Sequence, residues 1–81
     1  MRLNILLFGI TKDIIGSQNL ELDVTSDSYT VAELLDNLSN QYPALQKLSS
    51  LLVAVNEEYA QPTTTIQAND EVALIPPVSG G

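Results

Sequence analysis

The segment from Thr30 to Tyr42 constrains the fold more than any other stretch of the chain. Thr30-Val31-Ala32-Glu33 forms a capping box. In it the Thr30 hydroxyl accepts from the amide of Glu33, and the Glu33 carboxylate reaches back to the amide of Thr30. Val31, Leu34, Leu35, Leu38 and Tyr42 follow at i, i+3, i+4, i+7 and i+11, a single apolar stripe. Pro43 ends the helix, because the residue before a proline avoids the helical region. Leu45 and Leu48 predict a short further helical turn, and Tyr29, just before the cap, is placed to act as half of a hydrophobic staple. Tyr42 and Tyr29 are therefore read as packing residues. Burying one stripe residue such as Leu35 contributes about 1.5–3 kcal/mol. A helix with one apolar face needs a second layer to cover it.

Alternating segments on both sides of the helix supply that layer. Arg2 to Phe8 reads as a strand with Leu3, Ile5 and Leu7 on one face and Leu6 and Phe8 on the other. Gly9 breaks the run, and Thr11 to Gly16 predicts a short turn or single helical turn closed by Gly16. Leu20, Leu22 and Val24 alternate with polar residues, as in a strand with one wet face. These two strands form a hairpin with a long connection. Beyond the helix, Leu51 to Val55 predicts a third strand, Asn56-Glu57-Glu58 a turn, and Tyr59 to Gln61 a short edge strand limited by Pro62. Thr63 to Gln67 reads only as weakly extended. Asn69-Asp70 predicts a second turn with Asn69 in the left-handed conformation, and Glu71 to Ile75 the last strand. The order is hairpin, helix, then two or three strands. Its simplest closed solution is an α+β fold, with one helix across one face of a mixed sheet and the first and last strands parallel at the centre. That architecture is the β-grasp, or ubiquitin-like, fold.

The chain has 81 residues, a length suited to one domain that buries about 60% of its unfolded surface. It contains neither Cys nor His. A disulfide framework is thereby excluded, and a zinc site or a His-based catalytic group is disfavoured. Ten acidic side chains against three basic ones give a net charge of −7. Such a surface repels nucleic acid and anionic membranes and suits a partner with a basic docking face. The apolar opening is short, is interrupted by Asn4 and lacks a small-residue cleavage site, so it is not read as a signal peptide. With no membrane span in sight, the expected location is the cytoplasm.

The C-terminus, Pro76-Pro77-Val78-Ser79-Gly80-Gly81, is unlike an ordinary trailing end. Two prolines directly after an apolar strand donate no backbone hydrogen bonds and favour polyproline II, so they end the sheet and project the chain outward. The six residues after Ile75 reach at most about 20 Å, at roughly 3.4 Å each. Gly80 and Gly81 carry no Cβ, so the arm ends in bare backbone that fits a narrow channel, with an α-carboxylate as its last functional group. Ser79-Gly80-Gly81 has no apolar anchor, and this arm is expected to order only inside a partner.

Strand alternation also predicts a surface. If Leu3, Ile5 and Leu7 face the helix, Leu6 and Phe8 lie on the opposite side of the sheet, with Leu52, Ala54, Ala73 and Ile75. Parallel pairing of the end strands brings Phe8 and Ile75 together, and Tyr59 at the nearby edge extends the cluster. An exposed apolar patch of this kind marks an interaction site. The competing arrangement folds Thr63 to Gln67 back over the patch. Asp13, Glu57, Glu58 and Glu71 are candidate charges for steering a partner toward it.

Taken together, these residues resemble the small subunit of molybdopterin synthase, a β-grasp sulfur carrier. The resemblance spans nearly the whole chain. It runs from Ile5-Leu6-Leu7-Phe8 through the Lys12-to-Gly16 insertion and Thr30-Val31-Ala32-Glu33-Leu34-Leu35 to Leu52-Val53-Ala54-Val55-Asn56, Asp70-Glu71-Val72-Ala73 and the Pro-Pro-Val-Ser-Gly-Gly ending. Two departures stand out: Ala68-Asn69-Asp70 where the family usually has Asp-Gly-Asp, and aliphatic Leu74-Ile75 where aromatics often stand.

The resemblance implies a β-grasp domain over residues 1–75 and a tail over 76–81 whose Gly81 carries the transferred sulfur. An adenylating enzyme of the ubiquitin-activating type uses ATP to activate Gly81, and a sulfur donor protein converts it to a thiocarboxylate. The large synthase subunit, two copies with two of this chain, then receives Pro76, Pro77, Val78, Ser79 and Gly80 in its active site and docks on Phe8, Tyr59 and Ile75. The chain itself binds no cofactor and is not an enzyme alone. Thiamine-pathway sulfur carriers share the Gly-Gly end, but they join their first two strands tightly, whereas eleven residues separate Phe8 from Leu20. A ubiquitin-like modifier joined to lysines, or a non-covalent β-grasp module, is the other alternative.

Overall fold

Capping sets the start of the longest helix, α2 (Val31–Gln41), where the sequence requires it. Thr30 is extended, its hydroxyl accepts from the Glu33 amide at 3.2 Å, and its own amide donates to Glu33 Oε1 at 3.3 Å. These positions come from a computed structural model that describes residues 1–25, 28–48 and 51–76. Val31, Leu34 and Leu38 are buried, and Leu35 and Tyr42 pack partly buried against the same core. A 3-10 helix at Pro43–Lys47 follows, burying Leu45. Tyr29 is buried beside the cap, its hydroxyl donating to the Glu33 carbonyl at 3.4 Å and accepting from Asn37 Nδ2 at 3.1 Å. Thr30→Ala removes the cap and is expected to lower folding stability by about 1 kcal/mol, read from the urea midpoint at unchanged m-value.

The remaining elements are β1 (Arg2–Leu7), α1 (Ile10–Ile15), β2 (Asn19–Asp23), β3 (Leu52–Val55), β4 (Glu58–Tyr59) and β5 (Glu71–Ile75). They build one mixed sheet in the order β2-β1-β5-β3-β4. β1 runs antiparallel to β2 and parallel to β5 at the centre, as the closed solution demands. Leu3, Ile5, Leu7, Leu22, Val53, Val72 and Leu74 point to one face and form a single buried cluster with the α2 stripe. The hairpin connection between β1 and β2 holds α1, which Gly16 closes in the left-handed conformation (φ 88°).

Apart from β3 starting at Leu52 rather than Leu51, four details depart from the sequence reading. β1 ends at Leu7 rather than Phe8, because the Phe8 backbone bonds Thr11 and not a strand. The turn after β3 comprises only Asn56 and Glu57, both at positive φ (54° and 70°). A two-residue turn of this hand matches the twist of a hairpin, so β4 resumes at Glu58 and ends at Tyr59 rather than Gln61. Asn69 is not left-handed, since Asn56 and Glu57 are the only non-glycine residues at positive φ among the described residues. The Asp70 carboxylate closes that turn instead, accepting from the Gln67 amide at 2.8 Å while the Asp70 amide donates to the Gln67 carbonyl at 3.0 Å.

The fourth departure is Ile66, which is fully buried although its surroundings read as weakly patterned. Its amide donates to the Tyr29 carbonyl at 2.8 Å, and Thr65 bridges Thr30, so this loop is fastened to the start of α2. β5 stops at Ile75 and Pro76 is the last described residue. Pro77, Val78, Ser79, Gly80 and Gly81, and with them the predicted tail conformation, lie outside the described residues.

Candidate functional site

The face of the sheet opposite α2 carries the predicted cluster. Strand register lines up Leu6 with Ala73, Ala73 with Ala54, and Ala54 with Tyr59, making one row across four strands. Two alanines in the middle of that row leave a trough between the larger end residues. Phe8, Ile75, Glu57 and Glu71 complete its lining. Phe8 is 50% exposed and Tyr59 71% exposed, while Ile75 is half-buried. Leu52, opposite Ile75 in register and 49% exposed, extends the apolar area to the sheet's end. The predicted trio of Phe8, Tyr59 and Ile75 is therefore assembled on one surface.

Ala54 was expected on this face and is there, but it is buried, because a methyl group on the floor is sheltered by its taller neighbours. The alanine floor was missed as a feature of its own. The signal was present: small residues at facing positions of two strands mark a depression once the register is known. The alternative in which Thr63 to Gln67 covers the patch does not occur, since that loop is held at Thr30 and Tyr29 and buries Ile66 in the core.

The root of the tail lies at one end of the trough. Gly9 has φ 55°, and a Cβ built there would stand 3.0 Å from the Pro76 ring. The backbone of the β1 exit thus passes close against the first tail residue, next to Phe8. Pro76 is the only predicted tail residue that the structure describes, and it is half-buried at this junction.

Charge is distributed unevenly around the apolar area. Glu57 and Glu71 line the trough directly, Glu58 sits on the edge strand, and Asp13 lies apart on α1. Arg2 lies on the same face of β1, but Glu21 at 3.5 Å and Asp23 at 3.0 Å already pair with it. The hydrogen bond and charge of Asp23, with the charge of Glu21, hold its pKa above the ordinary arginine value. The rim is therefore acidic. Association with a basic partner should slow several-fold as the screening length falls from about 30 Å to about 8 Å. Stopped-flow measurements between low and physiological salt test this, and Glu57→Gln with Glu71→Gln should remove most of the slope. A rate indifferent to salt would exclude steering by this rim.

Among the described residues, no group of three or more His, Cys, Asp or Glu side chains is arranged to hold a metal ion, and no helix is long and apolar enough to cross a membrane.

A ubiquitin-like β-grasp domain with an apolar trough beside the root of a Gly-Gly tail belongs to a recognisable class of small carrier and modifier proteins. Residues 5–81 match the profile of the ThiS family, and the chain belongs to that family. It is similar to the molybdopterin synthase sulfur carrier subunit of Dictyostelium discoideum, with 41% identity over 80 residues covering 95% of this chain and 93% of the relative. The subunit of the same description from Arabidopsis thaliana is 38% identical over 82 residues, covering 100% of this chain and 84% of that one. Among solved structures, the crystal structure of SAMP1 from Haloferax volcanii superposes with a TM-score of 0.83 at 32% identity, covering 100% of both chains.

Proposed function

We propose that this chain is the sulfur carrier subunit of a molybdopterin synthase. The observation that carries the reading is near-complete coverage of relatives so described, joined to an apolar trough that lies at the root of the tail. Residues 1–75 serve as the docking body and 76–81 as the reactive arm.

A carboxylate is a poor electrophile, so Gly81 must first be activated. Its carboxylate oxygen attacks the α-phosphorus of ATP on a partner enzyme, pyrophosphate leaves, and a mixed anhydride with AMP results. A hydrosulfide equivalent from a sulfur donor protein then attacks the acyl carbon, and AMP departs with the bonding electrons. The thiocarboxylate left on Gly81, ionised at neutral pH, is the nucleophile presented to a pterin precursor in the large synthase subunit. This chain supplies the sulfur and the docking face, while the large subunit supplies the groups around the pterin. The need for ATP suits a cytoplasmic setting.

Docking on Phe8, Tyr59 and Ile75 sets Pro76 at the partner's surface, so Pro77, Val78, Ser79 and Gly80 have only to span the distance to its active site. Ordering that arm costs entropy, and the trough supplies the compensating contact.

A second reading is favoured by the likeness to SAMP1, a small archaeal modifier protein. In it the same activated Gly81 is attacked by a lysine amine, and an isopeptide bond replaces the acyl–AMP bond. Intact-mass analysis after incubation with the activating enzyme, ATP and a sulfur source separates the two. Replacement of one oxygen by sulfur supports the carrier. A protein-sized adduct supports the modifier, and an unchanged mass defeats both.

A further inference from the structure

The end of β1 holds a buried hydroxyl that the proposed chemistry does not use. Thr11, fully buried, is the one buried polar side chain of the described residues. Its Oγ accepts from the Phe8 amide at 3.1 Å and donates to the Phe8 carbonyl at 2.6 Å, and its own amide also donates to that carbonyl at 3.2 Å.

The reason for this arrangement lies across the sheet. The Leu7 amide donates to Gln18 on the β2 side at 2.9 Å, so the polar groups of Phe8 point the other way, toward β5. Extending the parallel register by one residue sets Phe8 opposite Ile75, and the donor for the Phe8 carbonyl would be the amide of Pro76. Proline has none. The residue that begins the tail therefore strips a rung from the ladder at the residue that leads the docking surface. Gly9, at the start of α1, has no side chain to take over, and Thr11 reaches back from the first turn of α1 to hold both polar groups of Phe8.

We infer that Thr11 is a positioning residue for docking: its hydroxyl replaces the rung that Pro76 cannot supply and fixes Phe8, half-exposed, at the edge of the trough. The inference rests on the proposed docking face. Without the hydroxyl, the Phe8 amide loses its partner and its carbonyl keeps only the Thr11 amide, and each encounter must order Phe8 again at a cost in affinity.

A double-mutant cycle tests this against the purified large synthase subunit of the same organism, with affinity read by calorimetry. Thr11→Val keeps the shape and removes the hydroxyl, and should weaken binding roughly tenfold. Thr11→Ser should restore wild-type affinity. In a Phe8→Ala background, Thr11→Val should change affinity less than about twofold, since its effect passes through Phe8. Equal losses in both backgrounds, or no loss in either, overturn the positioning role. If Phe8→Ala alone leaves affinity unchanged, the docking face itself is wrong, a separate failure.

Should Thr11→Val not fold, hydrogen exchange on the wild-type chain decides. The Phe8 amide, beyond the last rung, must be protected as well as that of Leu7. Free exchange there overturns the inference.

Discussion

A chain ending at Gly80 is expected to fold as the full chain does and to lose sulfur transfer by roughly 100-fold or more. The new terminus is still a glycine carboxylate, so the intrinsic chemistry of the group survives. What changes is reach: the acyl carbon is withdrawn by about 3.4 Å from where, in the proposed function, two active sites in succession must find it. Misplacement of a reacting atom by even about 1 Å can cost that much rate. Gly80→Val should have a comparable effect by a different route, since a branched side chain thickens the arm just before the reacting group. Among the described residues the buried cluster draws on the strands, Val24, Tyr29, α2, Leu45 and Ile66, so the melting temperature should not move for either variant. Intact mass after the activating reaction and single-turnover transfer to the pterin precursor are the measurements. Wild-type thiocarboxylate formation and transfer by the shortened chain would reduce Gly-Gly to a spacer.

Phe8→Ala should separate binding from folding. Phe8 leaves half its surface in solvent in the free chain, and the next residue, Gly9, passes close against Pro76. As an anchor it should weaken the complex by more than about 1 kcal/mol, and an anchor of hot-spot size by 2 or more. The isolated domain should lose less than the roughly 3–5 kcal/mol typical of a truncated core phenylalanine. Calorimetric titration and urea unfolding of the same variant give both numbers. Intact affinity with a collapsed midpoint would place Phe8 in the core and remove the docking face.

Periodicity made most of this legible in the sequence. The capping box, the α2 stripe and the alternation of β1, β2, β3 and β5 are local patterns, each satisfied within a few residues by caps or by a buried face. The element order then left few closed topologies, and the alternation assigned Phe8 and Ile75 to the outer face before any register was known. The proposed projection and thinness of the tail rest on equally local features, because prolines and glycines act through their own covalent structure.

Other features depend on what stands opposite, and no local pattern encodes that. Ile66 reads as a stray apolar residue among threonines until Thr65 bridges Thr30 and brings it under α2. Ala54 and Ala73 become a trough only when register sets them side by side, and Asn69 is relieved of the left-handed conformation because Asp70 closes its turn. Thr11 is the clearest instance. In the sequence it only opens a short turn, and in the fold its hydroxyl holds both polar groups of Phe8 where the parallel strand on that side runs into a proline with no hydrogen to give.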